Sequence, residues 1–151
     1  MSRHTLKLVF IGGLTFCIAA IVVAIVMAPL IEGPLDEIYL QNADLWRTGV
    51  IGDGFNETSV FVYWVLHKAI YAFCMALLYV WSRNSIPGSG WLKGGLLGLL
   101  TVPMVASTYL GMWTVMTLPA ALWLWWGFFY LISGTLSGAA MGFCVEKIDS
   151  N

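Results

Sequence analysis

Between Gly94 and Val145 the chain has no Asp, Glu, Lys, Arg or His. At 1.5 Å per helical residue this uncharged run is about 75 Å long, enough to cross a bilayer twice. Charged residues make up only 10% of the 151-residue sequence and hydrophobic ones 60%, with a mean hydropathy of +0.84. A water-soluble core cannot absorb that much apolar surface. Basic patches are missing too: the formal net charge is -1, and nothing clusters to neutralise phosphates, which excludes nucleic acid as a partner. The three cysteines, Cys17, Cys74 and Cys144, lie in apolar stretches and lack the short spacing of a zinc or dithiol site, so no metal is expected and they read as buried single thiols. The sequence also lacks an HExxH motif, a phosphate-binding glycine loop, a plausible triad and any acidic residue within a span, so no enzymatic role is expected.

What is present is a succession of apolar segments at about 8–31, 59–82, 94–117 and 119–145. They predict an all-α integral membrane protein, a four-transmembrane-helix bundle forming a single membrane domain over residues 1–151. The first segment exceeds the apolar region of a cleavable signal and is expected to stay attached. The long uncharged run divides at Thr117, Leu118 and Pro119, where a proline suits the first turn of a new helix; Pro103 is expected to kink the third span. Arg3, Lys7, Arg83, Lys93 and Lys147 all fall on one side of this arrangement, leaving Arg47 alone on the other. By the positive-inside rule both termini face the cytoplasm.

The outer loop, residues 32–58, holds Glu32, Asp36, Glu37, Asp44, Asp53 and Glu57. Its first half reads as a short amphipathic helix that begins at Pro34 and ends before Gly49, with Leu35, Ile38, Tyr39, Asn42, Ala43 and Trp46 on one face. Such a helix either lies flat on the outer leaflet or covers a partner, with Tyr39 and Trp46 as its interface residues.

Two ionisable residues interrupt the second span. His67 and Lys68 are candidates for a functional site, because charge within a span is costly. Lys68 either reaches back toward the outer headgroups or Glu32, or faces a cavity in the bundle. His67 serves as a neutral packing group, a proton relay or ligand contact, or an axial haem ligand. Haem is not expected, since His4 sits at the opposite end and a paired site would need another subunit; no cofactor is predicted. Tyr63, His67, Tyr71 and Cys74 form one helical stripe, and Tyr63, His67, Lys68 and Tyr71 make up the candidate ligand pocket. Separately, Gly94 and Gly98, then Gly134, Gly138 and Gly142, recur every four residues and allow close approach of helix backbones, within one bundle or against a homo-oligomeric or other membrane-protein partner.

In layout the chain resembles small uncharacterised four-span proteins of bacterial inner membranes. The resemblance rests on the basic start at Arg3 and Lys7, the turn before Lys93, Gly94 and Gly95, and the final glycine-rich helix ending at Lys147. It implies a topology and no activity. Two functions are expected from the residues: an accessory or scaffolding subunit packing through its glycine faces, or a small transporter, channel or ligand-binding protein with an outward pocket at His67 and Lys68.

Overall fold

A computed structural model describes residues 1–42 and 58–150. All regular structure among these residues is helical, in the order α1 (Arg3–Gln41), α2 (Thr58–Ser82), a short 3-10 turn (Arg83–Ser85), α3 (Gly90–Trp113) and α4 (Ala120–Asp149). All four long helices are long and apolar enough to cross a membrane. Helix α4 lies between α3 and α1, and α2 flanks α1 while touching α3 only lightly.

Helix α1 starts at an N-cap, where the Ser2 hydroxyl accepts from the Thr5 amide at 3.1 Å. It then runs for 39 residues, roughly 58 Å. The separate amphipathic helix expected from Pro34 onward is therefore not present; residues 32–41 of the expected loop continue α1 without interruption. Tertiary contact accounts for this. Leu35 is buried against Leu118, Leu122 and Trp123 at the start of α4, and the Trp126 indole donates to the Tyr39 hydroxyl at 3.0 Å. These contacts hold the outer turns in register with the rest of α1, and the face carrying Leu35, Ile38 and Tyr39 meets α4 instead of standing open. Trp46, the other expected interface residue, lies outside the described residues.

Helices α3 and α4 begin and end slightly off the expected boundaries: α3 covers Gly90–Trp113 and continues through Pro103, and α4 extends to Asp149 with Pro119 as its N-cap. Their contact is a glycine seam. The antiparallel pairing sets Gly98 opposite Gly134, Gly94 opposite Gly138 and Gly90 opposite Gly142. A Cβ added at Gly94 would overlap the Gly138 carbonyl oxygen, one at Gly98 the Gly134 carbonyl, and one at Gly142 the Gly90 carbonyl. Backbone meets backbone here, which is what small residues permit where lipid supplies no drive for helices to associate. Gly90 belongs to the seam although the sequence reading stopped at Gly94; it continues the same four-residue spacing.

The end of the bundle that carries both termini is basic and cross-tied. His4 and Arg83 meet Asp149 at 2.7 and 2.9 Å, and Lys93 meets Glu146 at 2.8 Å. The starts of α1 and α3 and the turn after α2 are thus each tied to the last turn of α4. That turn lies beyond the uncharged run, and there a hydrogen bond from His4, with Arg83 beside it, holds the Asp149 carboxyl below the ordinary carboxylate range. Between the ties and the glycine seam, Leu8, Phe16, Ala72, Met75, Ala76, Tyr79, Met141 and Val145 form the core. The far end is aromatic, with Tyr109, Trp123, Trp126 and Tyr130 in tilted and edge-to-face contact at centroid distances of 5.2–5.9 Å.

Candidate functional site: a buried lysine in an aromatic box

Among the described side chains of α2 the buried positions are Lys68, Ala72, Met75, Ala76 and Tyr79, a spacing of four, three, one and three that traces one helical face. Lys68 thus occupies a core position. It is 8% exposed, and its ammonium lies 5.1 Å from the centroid of the Tyr130 ring, 5.4 Å from Phe129 and 5.8 Å from Trp64. Trp64 is one turn nearer the start of α2, so the stem leans toward the helix N-terminus as side chains on a helix do. It ends among aromatic faces and not at a surface.

Beside Lys68 is a cavity of about 10 Å³, room for one water-sized group. Phe16 and Ala20 of α1, His67 and Tyr71 of α2, and Tyr130, Ser133 and Gly134 of α4 complete its lining. Phe16 sets the Tyr71 ring by an edge-to-face contact at 5.7 Å. The Tyr71 hydroxyl is 3.0 Å from Thr101 Oγ1, which in turn donates to the Gly98 carbonyl at 2.7 Å. Since Thr101 has one hydroxyl hydrogen and it goes to Gly98, Tyr71 is the donor in the pair, and its remaining lone pairs are left for the cavity. This relay is one of the few links between α2 and α3. It also joins the site to the glycine seam, because Gly98 faces Gly134 and Gly134 lines the cavity.

Three of the four expected pocket residues, His67, Lys68 and Tyr71, come together here. Tyr63 does not: it is 61% exposed and points away. Cys74, at the far end of the expected stripe, is exposed as well. The stripe drawn through His67 therefore crosses from the cavity to the outside, whereas the stripe through Lys68 follows the buried face. Sequence reasoning named Gly134 only for helix packing and did not connect it, or Phe16, Tyr130 and Ser133, with the pocket, since all four lie on other helices and carry no signal that links them to α2. His67 is itself exposed on the flank of the cavity, while His4 is engaged with Asp149 at the basic end. Among the described residues no group of three or more His, Cys, Asp or Glu is placed to hold a metal ion.

The electrostatics of the box are unbalanced. Among the described side chains no carboxylate pairs with Lys68, and Glu32, the partner the sequence offered, lies outside them. Burying a lone ammonium costs several kcal/mol even after relaxation, whereas each aromatic face returns about 0.5–2 kcal/mol, the rings here being at 5–6 Å and shared by one cation. The faces reduce the penalty without neutralising the charge. A buried amine of this kind is stable either in its neutral form or with an anion beside it.

Comparison with protein families, with curated proteins and with solved structures finds no match.

Proposed function

We propose that this chain is an integral membrane protein of the bacterial inner membrane, with both termini in the cytoplasm, and that it binds a small ligand inside the bundle at Lys68, in the manner of a small transporter, channel or ligand-binding protein. The observation that carries this reading is the burial of Lys68 at a cavity with no carboxylate beside it among the described residues. Ionisable residues within spans are expensive and face interiors where they serve substrates, ions or protons. The clustering of basic residues at one end supports the orientation. The role is non-enzymatic: the residues at the cavity suit binding, and no catalytic step is assigned to them.

A second reading, an accessory or scaffolding subunit, draws on the outer turns of α1, where Asp36, Glu37, Leu40 and Gln41 are exposed on the side away from α4. In that case the partner meets this acidic strip, since the glycines that would otherwise serve are occupied in the α3–α4 contact.

Native mass spectrometry of gently purified protein separates the two. A small retained ligand that disappears in Lys68→Met supports the binding reading. Co-purifying chains present equally in the wild type and in Lys68→Met, with no small ligand in either, overturn it in favour of the subunit.

A further inference from the structure

Resting on the reading of Lys68 as a ligand-binding centre, we infer that the cavity takes a small monovalent anion of halide size and that the anion enters together with one proton. The space beside Lys68 holds a single water-sized group, which excludes an organic anion but suits a monatomic one. The ammonium is the positive partner, and the Ser133 hydroxyl, on a residue 5% exposed, lines the same cavity and supplies a donor. Tyr71 is not a donor here, since its hydrogen is committed to Thr101. Phe16, Ala20 and Gly134 make part of the wall apolar, with the His67 and Tyr130 rings completing it, and in such a site an ion pair of zero net charge is better tolerated than either ion alone.

That last point produces the coupling. An ammonium without the anion is a lone buried charge, and an anion beside a neutral amine is another. The favoured event is therefore the joint one: the neutral Lys68 amine takes a proton from water and the halide seats beside the resulting ammonium. The N–H bond forms as an O–H bond of a hydronium ion breaks, a water molecule is left behind, and nothing is oxidised or reduced. Among the described side chains the titratable groups facing Lys68 are Cys17 from α1, His67 and Tyr71 on α2, and Tyr130 from α4; α3 reaches the site through Thr101, which does not titrate. None of these is a carboxylate.

The test uses the full chain in an uncharged detergent, weakly buffered and prepared in potassium gluconate. Potassium chloride or bromide is added while proton uptake and tryptophan fluorescence are recorded, Trp64 being in contact with Lys68. Expected are a saturable response, one proton taken up per protein, and a half-saturating halide concentration that rises about tenfold per pH unit where the amine is neutral. Lys68→Met should lose both signals, and Lys68→Arg, which stays protonated, should bind halide without taking up a proton. Halide binding with no proton uptake, or a response unchanged in Lys68→Met of native helicity, overturns the inference. If halide gives no response but native mass spectrometry finds another ligand lost in Lys68→Met, the anion inference fails and the Lys68 reading survives. If neither appears, both fall.

Discussion

Gly94 and Gly95 are adjacent on α3, yet the structure predicts opposite outcomes for the same substitution. A methyl at Gly94 would overlap the Gly138 carbonyl oxygen and come within 2.9 Å of the Gly142 amide nitrogen. Both are backbone atoms of a helix packed along its length, so neither can rotate aside, and relief requires moving α3 off α4. Overpacking of this kind costs about 1–3 kcal/mol and occasionally more. Alanine's better helix propensity returns at most about 1 kcal/mol, so Gly94→Ala is expected to lose roughly 2 kcal/mol. At Gly95 the added methyl would meet the Ala139 Cβ at 3.6 Å and the Thr135 carbonyl at 3.7 Å, ordinary van der Waals distances. Only the propensity gain remains there, and Gly95→Ala is expected to be neutral or more stable by up to about 1 kcal/mol. The two neighbours then differ by about 3 kcal/mol, roughly a hundredfold in the folding equilibrium constant. Unfolding of each variant by a denaturing detergent, titrated into a mild one and followed by far-UV circular dichroism, measures the difference directly. Equal midpoints, or a lower midpoint for Gly95→Ala, would refute the seam as described.

Other outcomes follow from the same geometry. Trp126→Phe removes the indole donor to Tyr39, about 1 kcal/mol for one hydrogen bond, and should raise amide hydrogen exchange at residues 35–41 while leaving the start of α1 unchanged; uniform exchange along α1 would argue against the docking of its outer turns. Because the Asp149 carboxyl is depressed in the folded chain, its contribution is fully present above the ordinary carboxylate range and is lost as pH falls through the lowered value. Asp149→Asn should therefore flatten the acid limb of stability below about pH 4, read from detergent unfolding across that range. Lys68→Met replaces a buried amine that has no carboxylate partner among the described side chains with an apolar chain of similar length, and should match or exceed the wild type in detergent unfolding, by up to a few kcal/mol in the absence of bound anion. A loss as large as that expected for Gly94→Ala would mean that Lys68 is a packing residue. Finally, cysteines introduced at Ser2 and Ser150 should label only from the cytoplasmic side; labelling from opposite sides would overturn the proposed topology.

Much of the fold was legible in the sequence because its signals are one-dimensional. The uncharged run, the proline near 119 and the one-sided basic residues depend only on chain order, and α2, α3 and α4 follow their expected segments to within about four residues, whereas α1 runs past its expected end to Gln41. The glycine spacing was equally visible, but the pairing of Gly98 with Gly134 and Gly90 with Gly142 depends on how two helices slide against each other. Local propensity misled at Pro34. A proline in a first turn and a proline inside a continuing helix look alike in sequence, and the contacts of Leu35 and Tyr39 with α4 decide between them. The candidate site was half legible for a related reason. His67 and Lys68 stood out by chemistry, but they are about 100° apart on the helix, and only the packing of α1 and α4 determines which of the two turns inward.

The location of the cavity also bears on how a ligand would reach it. Its α4 wall is rigid, because Gly134 is pinned against Gly98 and the seam continues to the ties at the basic end. Its α2 wall is held differently: α2 packs on α1 but meets α3 at few points, chiefly the Tyr71–Thr101 bond and the long contact of 3.4 Å from the Tyr79 hydroxyl to the Gly90 carbonyl. Lys68 sits on the more loosely held of the two walls. An outward shift of α2 by one or two ångströms would break the Tyr71 relay, open the cavity beside Lys68 and leave the glycine seam intact. The site thus joins α3 and α4, locked to each other by the glycine seam, to α2, which has few ties to α3, and Lys68 is carried by the side with fewer ties. Tyr71→Phe isolates this step: it removes the bond that closes the seam between α2 and α3 while keeping the ring against Phe16, so it should accelerate both entry and release of the bound ion in stopped-flow fluorescence. Rates equal to those of the wild type would place the entry route elsewhere.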